Sequence, residues 1–394
     1  MRYDFDQVIE RRPTNSDKWN RYAADVLPLW VADMDFPSPE PVIRALHERV
    51  EHGIFGYPSS GFISPGEKGE LREVMVARMY SLYGWQISGD DLLFLPGIVI
   101  GLNQASHALS TPGGSVLVQT PAYPHILHMA ASSGMQQQTM ELTRLPDGQY
   151  AVDWEAFGAA FTPETRLFTL CNPHNPVGRV FRRDELARMA EVCLRCGVVI
   201  CSDEIHCDLL FRGQQHIPIA SLDAEVAQNT ITLMAPSKTF NIAGLQCSFA
   251  IIQNPELREK FRKANQGLVP WVNVMGQTAA LAAYKHGQEW LDQLLVYLED
   301  NRDYLAAYVA RELPGVEISL PEGTYLAWLD CRKAGLTDSP YKFFLEQARV
   351  GLNDGATFGP GGEGFVRLNF GCPRSTLTTA LERMKASLQT SRVP

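Results

Sequence analysis

The chain alternates between short apolar runs and longer amphipathic segments. Segments such as DELARMAEVC at 184–193 have helical periodicity and separate the apolar runs, which have the length of strands. The six runs lie at 91–97, 115–121, 165–173, 197–204, 230–237 and 247–253. Strands that alternate with helices predict a mostly parallel sheet covered by helices, which is the α/β class.

Two changes along the chain predict its domains. The first 40 residues, with the proline-containing stretch WVADMDFPSPEP, have the pattern of an extended arm in which proline disfavours a helix. After residue 285, a long helical segment leads into the strand-like runs VEISLP, TYLAWLD and FVRLNF. We therefore predict an N-terminal arm at 1–40, a large domain at 41–285 and a smaller α+β domain at 286–394.

Composition narrows the class of partner. A chain of 394 residues with 45% hydrophobic content can bury a large core. A net charge of -9 and a pI near 5.5 oppose binding to nucleic acid, so we expect a small-molecule ligand instead. The start, MRYDFDQVIERR, lacks the apolar stretch of a signal peptide, and no run approaches the ~20 apolar residues of a membrane span. We expect a cytoplasmic protein with no membrane partner.

The eight cysteines predict neither a disulfide framework nor a metal site. Several fall within apolar runs, where a thiol behaves as a small hydrophobic group. Cys193 and Cys196 form the one CxxC pair, and no second pair follows at metal-ligand spacing. We expect both side chains to pack in the core.

Reactive side chains follow the predicted strands at their carboxyl ends, where ligands bind in open α/β sheets. Lys238 lies in APSKTFNIAGLQ, and a lysine against an apolar wall can lose its proton and form a Schiff base. Asp203 and Glu204 end the run GVVICSDE, where a carboxylate can pair with a pyridinium nitrogen. Taken alone, the lysine could be a surface charge and the acids a helix cap.

Three further motifs extend this pattern. Asn175 lies in NPHNPVG, a more specific string than a turn requires, and its amide can donate to a ligand oxygen. Gly97 lies between a strand and a helix start, an arrangement that binds phosphate through free backbone amides. Arg367 in GFVRLNFG can clamp a carboxylate with two hydrogen bonds, although a strand arginine can also pair with an internal acid.

In this order, the motifs resemble fold-type I pyridoxal-phosphate enzymes of the class I/II aminotransferase family. The resemblance covers nearly the whole chain and implies pyridoxal 5'-phosphate as the cofactor. The strings WVADMDFPSP, FGYP, TPAYPHI, DEIHCDLLF and SKTFNIAGLQ further resemble the cystathionine β-lyase branch, the MalY/PatB carbon–sulfur lyases.

The resemblance implies roles for the residues around the cofactor ring. Lys238 would hold the cofactor as an imine and move the substrate's Cα proton, and Asp203 would keep the ring nitrogen protonated. Tyr123 would stack on the ring. Asn175 and His206 would hydrogen-bond the phenolic oxygen, although His206 stands where the wider family has a tyrosine.

The resemblance also implies how the phosphate is held and how subunits associate. The amides of Gly97, Ile98 and Val99, with the Ser237 hydroxyl, would bind the phosphate. Tyr57 would reach the phosphate of the neighbouring subunit. This implies a homodimer with shared active sites.

On the substrate side, the resemblance implies that Arg367, with Asn175 beside it, binds the α-carboxylate. The loop at Ala32 and Asp33 would line the same side. One departure concerns the phosphate, because many aspartate-aminotransferase-like members have an arginine at the position of Gln246.

The branch implies a carbon–sulfur β-lyase that converts L-cystathionine or cysteine S-conjugates to pyruvate, ammonia and a thiol. An aminotransferase is the alternative, because both reactions begin with removal of the Cα proton. A non-catalytic regulatory protein on the same fold is a third possibility, which the presence of Lys238, Asp203 and Arg367 disfavours. The apolar residues Met34 and Trp271 are expected to belong to the core rather than to a substrate pocket.

Overall fold

The computed structural model describes residues 2–58, 69–336 and 338–390. The helices are α1 Asp17–Asn20, α2 Glu40–His52, α3 Glu70–Tyr83, α4 Ile98–Ala108, α5 Pro124–Ser132, α6 Trp154–Ala159, α7 Arg183–Cys196, α8 Ala224–Gln228, α9 Pro255–Ala264, α10 Val274–His286, α11 Gln288–Glu312, α12 Pro340–Gln347 and α13 Arg374–Thr390. The strands are β1 Leu27–Pro28, β2 Leu92–Leu95, β3 Ser115–Thr120, β4 Gln136–Glu141, β5 Thr143–Arg144, β6 Tyr150–Ala151, β7 Thr165–Cys171, β8 Val199–Asp203, β9 Thr230–Met234, β10 Ser248–Ile251, β11 Glu317–Ser319, β12 Leu326–Asp330, β13 Val350–Gly351, β14 Asn353–Asp354 and β15 Phe365–Asn369.

A seven-stranded sheet has the order β2-β10-β9-β8-β7-β3-β4. It contains all six predicted strands, and its pairs are parallel except those made by β10, which runs antiparallel to both neighbours. The prediction of a mostly parallel α/β sheet is confirmed. The seventh strand, β4, was missed because it is a polar edge strand in which Met140 is the single buried residue.

A second, antiparallel sheet has the order β11-β12-β15-β14 and lies in the C-terminal part of the chain. The N-terminal arm is attached to this part, because β1 pairs in parallel with β13. Phe5 also packs edge-on against Phe36 and Trp290. Helix α1 places one helical turn in the arm, ahead of the stretch in which proline disfavours a helix. The predicted domain boundaries stay predictions.

The structure tests two expectations about which side chains are buried in the core. Met34 is buried, as expected, whereas Trp271 is 37% exposed beside Tyr57, so its assignment to the core was wrong. Cys193 is buried on the inner face of α7, while Cys196 is exposed on the last turn of the same helix, which corrects the expectation for Cys196. Across the three described ranges, no helix combines the length and apolarity needed to cross a membrane.

Candidate active site

A cavity of about 440 Å³ lies at the carboxyl ends of β3, β7 and β8 and extends to β15 of the second sheet. Parallel pairing aligns these ends, since Cys171 at the end of β7 is opposite Asp203 at the end of β8. Eleven of the predicted residues line this cavity: Ala32, Gly97, Ile98, Val99, Tyr123, Asn175, Asp203, His206, Ser237, Lys238 and Arg367. Asp33 and Tyr57 are not among the lining residues.

Lys238 extends into the cavity from the segment after β9. Its Nζ donates a hydrogen bond of 2.6 Å to the carbonyl oxygen of Ala32. Burial and Arg367 lower the pKa of this amine to about 8, while Asp33 and Asp203 oppose the shift. A larger share of the amine is therefore unprotonated at neutral pH than for an ordinary lysine, which favours attack on a carbonyl group.

Asp203 and Glu204 point to different environments, because adjacent side chains alternate at the end of a strand. Glu204 is turned away from the cavity and accepts hydrogen bonds from Ser202 and His216. Asp203 faces the cavity, and burial raises the pKa of its carboxyl to about 7. Lys238 is the one cation whose charge acts on Asp203, and no described residue forms an ion pair with this carboxylate, so a cationic ring nitrogen could pair with it.

Arg367 is a buried cation without a carboxylate partner among the described residues. Its guanidinium donates to the carbonyl of Trp30 at 2.9 Å and to the amide oxygens of Asn175 and Asn353 at 3.1 and 2.6 Å. The Nε has no hydrogen-bond partner, and burial lowers the pKa of the group to about 10. Neutral partners position this charge without neutralising it, which suits the binding of an incoming carboxylate.

The cavity lining also includes backbone donors at the start of α4. Helix α4 begins at Ile98 directly after Gly97, and amides in the first turn of a helix have no intrahelical acceptor. A Cβ built on Gly97 would meet no atom within 4 Å, so a ligand has room beside this turn. Ser237 lines the same cavity, whereas Gln246 is exposed and lies outside its lining. A phosphate here would depend on amides and a hydroxyl rather than on an arginine.

One buried histidine lines the cavity and a second lies beside it. His206 lines the cavity, its Nδ1 has no hydrogen-bond partner, and burial lowers its pKa to about 3. His174 lies outside the cavity lining and its Nε2 is 2.8 Å from the carbonyl oxygen of Pro121. That contact ties the turn carrying Asn175 to the turn carrying Tyr123. The sequence pattern had not indicated this role for His174.

Sequence reasoning also missed residues on the substrate side of the cavity. Asn353 in GLNDG contacts Arg367, and its short strand gave no signal of a site. Trp30 and Val31 precede the predicted Ala32 and line the same wall, so the WVADMDF string could have indicated them. His125 follows Pro124 at the cavity lining, with its ring 5.0 Å from that of Tyr123.

The two predicted residues outside the cavity have different surroundings. Asp33 forms an ion pair of 2.8 Å with Arg11. Tyr57 is 89% exposed and lines a separate open cavity of about 1100 Å³ together with Phe55 and Trp271. Their predicted roles in substrate and phosphate binding stay predictions.

This set of donors fits pyridoxal phosphate. Lys238 supplies an amine, Asp203 supplies an acid without a counter-charge, and the buried Nδ1 of His206 lacks a partner. The amides after Gly97 offer a phosphate site, and Arg367 offers a carboxylate site in the same cavity. Together with the sheet, these features define the class: a pyridoxal-phosphate-dependent enzyme of fold type I.

Similarity to known proteins agrees with this class. The chain belongs to the aminotransferase class I and II family, which it matches over residues 24–384. It is 42% identical over 394 residues to cystathionine beta-lyase PatB of Bacillus subtilis (strain 168), covering 98% of this chain and 100% of that protein. Among solved structures, cystalysin from Treponema denticola, which contains pyridoxal 5'-phosphate, has a TM-score of 0.93, 32% identity and full coverage of both chains. OvoB has a TM-score of 0.92 and 44% identity, covering 98% of this chain and 100% of that one. The predicted family and cofactor are confirmed.

Proposed function

We propose that the protein is a carbon–sulfur β-lyase that acts on L-cystathionine or other S-conjugates of L-cysteine. The observation that carries the proposal is a single cavity in which Lys238 and Asp203 lie with the uncompensated cation Arg367. The similarity to PatB supports the choice of a lyase. The α-carboxylate of an amino-acid substrate would give Arg367 the anionic partner that it lacks.

Each residue has a separate task in the proposed elimination. Bound pyridoxal phosphate supplies an electron sink for the pair released at Cα. Arg367 orients the amino acid through its carboxylate, and the Lys238 amine removes the Cα proton. Asp203 holds the proton on the ring nitrogen by its negative charge. The Cα–H and Cβ–S bonds break, and addition of one water yields pyruvate, ammonia and the thiol.

A product assay separates this function from the alternatives. With L-cystathionine and no added keto acid, we expect pyruvate, ammonia and thiol in equal amounts. An aminotransferase would instead require a keto acid and would form a new amino acid in proportion. A regulatory protein would give no turnover of any cysteine thioether in a panel, although it could still bind the cofactor.

We also propose that the functional unit is a homodimer in which Tyr57 reaches the phosphate of the partner subunit. Several large apolar side chains near Tyr57 are exposed, and burying them on association would be favourable. The exposed side chains are Ile54, Phe55, Leu268 and Trp271. An inter-subunit role also accounts for a tyrosine placed outside its own chain's active-site cavity.

The cytoplasmic location stays a prediction within this proposal. All eight cysteines are free, and seven are buried. Unpaired thiols are typical of a reducing compartment. Fractionation of the native host would test the location independently of the reaction.

A further inference from the structure

The loop at residues 30–35, within the predicted N-terminal arm, contacts both Lys238 and Arg367 of the site. The carbonyl oxygen of Ala32 accepts hydrogen bonds from Lys238 at 2.6 Å and from the Tyr325 hydroxyl at 2.9 Å. The carbonyl oxygen of Trp30 accepts from Arg367 at 2.9 Å. The position of this loop therefore determines what surrounds the Lys238 amine.

Residues 11–19, earlier in the arm, hold this loop through a cluster of ionic side chains. Lys18 of α1 is fully buried, and its Nζ lies 2.7 Å from Asp35 Oδ2. Arg11 bridges the two acids of the loop, with Nη1 2.6 Å from Asp35 Oδ1 and Nη2 2.8 Å from Asp33 Oδ2. The Trp19 indole also donates to Asp35 at 2.9 Å. Such a cluster fixes side-chain directions because each buried charge requires its partner.

Asp33 is the member of the cluster whose direction affects the site. It follows Ala32, whose carbonyl holds Lys238, yet its carboxylate points toward Arg11 and lies 3.7 Å from Lys18. The second hydrogen bond from Arg11, Nη1 to Asp33 Oδ1, measures 3.3 Å. Without the Arg11 guanidinium, Lys18 would be the one cation of this cluster left beside Asp33. The Asp33 carboxylate could then turn toward Lys238.

We propose that Arg11 is a positioning residue that holds the Asp33 carboxylate on the arm side of the loop and so keeps the Lys238 amine free to capture the cofactor. In capture, the unprotonated amine adds to the aldehyde of pyridoxal phosphate, and loss of one water leaves the imine. A carboxylate against Lys238 would favour the ammonium, which cannot add. The proposal rests on Lys238 as the cofactor lysine and not on the reaction that follows.

The charges that face Lys238 define the expected effect. Asp33 of the loop and Asp203 of β8 raise the pKa of its amine, while burial and Arg367 of β15 lower it, and buried His206 is a neutral neighbour at pH 7. Moving the Asp33 carboxylate closer to the Lys238 amine would raise the pKa of that amine further. If the pKa of Lys238 rose by about one pH unit, the unprotonated fraction of its amine would fall about tenfold at pH values well below that pKa.

The test is the rate of imine formation when full-length apoenzyme is mixed rapidly with pyridoxal phosphate between about pH 6.5 and 9.5. For Arg11→Gln we expect the midpoint of the pH–rate profile to rise by about one pH unit, with capture about 3–10-fold slower at pH 7 and near the wild-type rate at the alkaline end. Adding Asp33→Asn to Arg11→Gln should bring the midpoint back to that of the wild type or below it, because the asparagine also removes the effect that Asp33 has on the Lys238 pKa in the wild type.

Arg12→Gln is the matched control, because Arg12 is the adjacent arm arginine and donates to the backbone carbonyls of Trp19, Ala24 and Val26 rather than to an acid of the loop. Its profile should match the wild type. Should Arg11→Gln fail to fold, Arg11→Lys keeps the charge without the two-pronged contact and should give a smaller shift in the same direction. An unshifted midpoint in the folded Arg11 variant, with or without uniformly slower capture, would overturn the proposal. A double variant whose midpoint stays above that of the wild type would also overturn it, because Asp33 would then not be the cause.

Discussion

Replacing Asp203 by Asn should stabilise the apoenzyme while removing most of the catalytic activity. The side chain is buried, and its Oδ1 accepts a hydrogen bond of 3.2 Å from the Ile205 amide. An asparagine oxygen can accept the same bond, so the variant changes charge more than shape. Stability and activity change in opposite directions because the negative charge of Asp203 destabilises the empty site, whereas the same charge holds the proton on the ring nitrogen of the bound cofactor.

The stability effect follows from the pKa of this carboxyl, which burial raises from 3.8 to about 7. Folding therefore takes up a proton between these two pH values, and stability from this group falls as pH rises through that window. Above about pH 7 the difference of about 3 in pKa corresponds to an upper limit of ~4 kcal/mol. The variant should thus gain almost nothing below about pH 3.5, and its advantage should grow to a plateau of roughly 2–4 kcal/mol above pH 7.

Two measurements check this prediction. Denaturant unfolding of both apoenzymes at several pH values gives the stability difference, and pyruvate release from L-cystathionine gives turnover with saturating cofactor. We expect turnover to fall by about 10²-fold or more, because an amide cannot hold the ring proton by charge. An apo variant that is less stable than wild type at pH 8 would refute the burial argument. Near-normal turnover would refute the assigned role of Asp203.

Three further substitutions test other parts of the site. Lys238→Ala should remove both the visible absorbance of the holoenzyme and the covalent adduct trapped by borohydride, and an adduct that persists would identify a different lysine. Arg367→Lys should raise the KM for L-cystathionine about 10–100-fold with a smaller effect on kcat, because lysine lacks the two-pronged contact; an unchanged KM would contradict carboxylate binding there. Mixed dimers of an inactive Tyr57→Ala chain and an inactive Lys238→Ala chain should regain activity, since one site per dimer would be complete. Failure to regain it despite demonstrated subunit exchange would exclude the shared site.

The sequence by itself determined the central sheet and most of the cavity lining. Apolar runs are local signals, and six of them correspond to β2, β3, β7, β8, β9 and β10. Because parallel strands align their carboxyl ends, residues directly after them, such as Asp203 and Lys238, had to converge at one edge. The polar edge strand β4 and the antiparallel direction of β10 could not be predicted in this way, because edge position and direction depend on distant pairing partners.

Tertiary structure alone decided which charges are compensated. Arg367 is identifiable in the sequence, but its contact with Asn175 spans 192 residues, and no local pattern indicated that its partners would all be neutral. Asp33 directly follows Ala32, which lines the cavity. Its carboxylate nevertheless lies outside the cavity lining, where it forms an ion pair with Arg11. Such outcomes depend on burial and on which partner lies within hydrogen-bonding distance, and both are set by the packing of segments far apart in the chain.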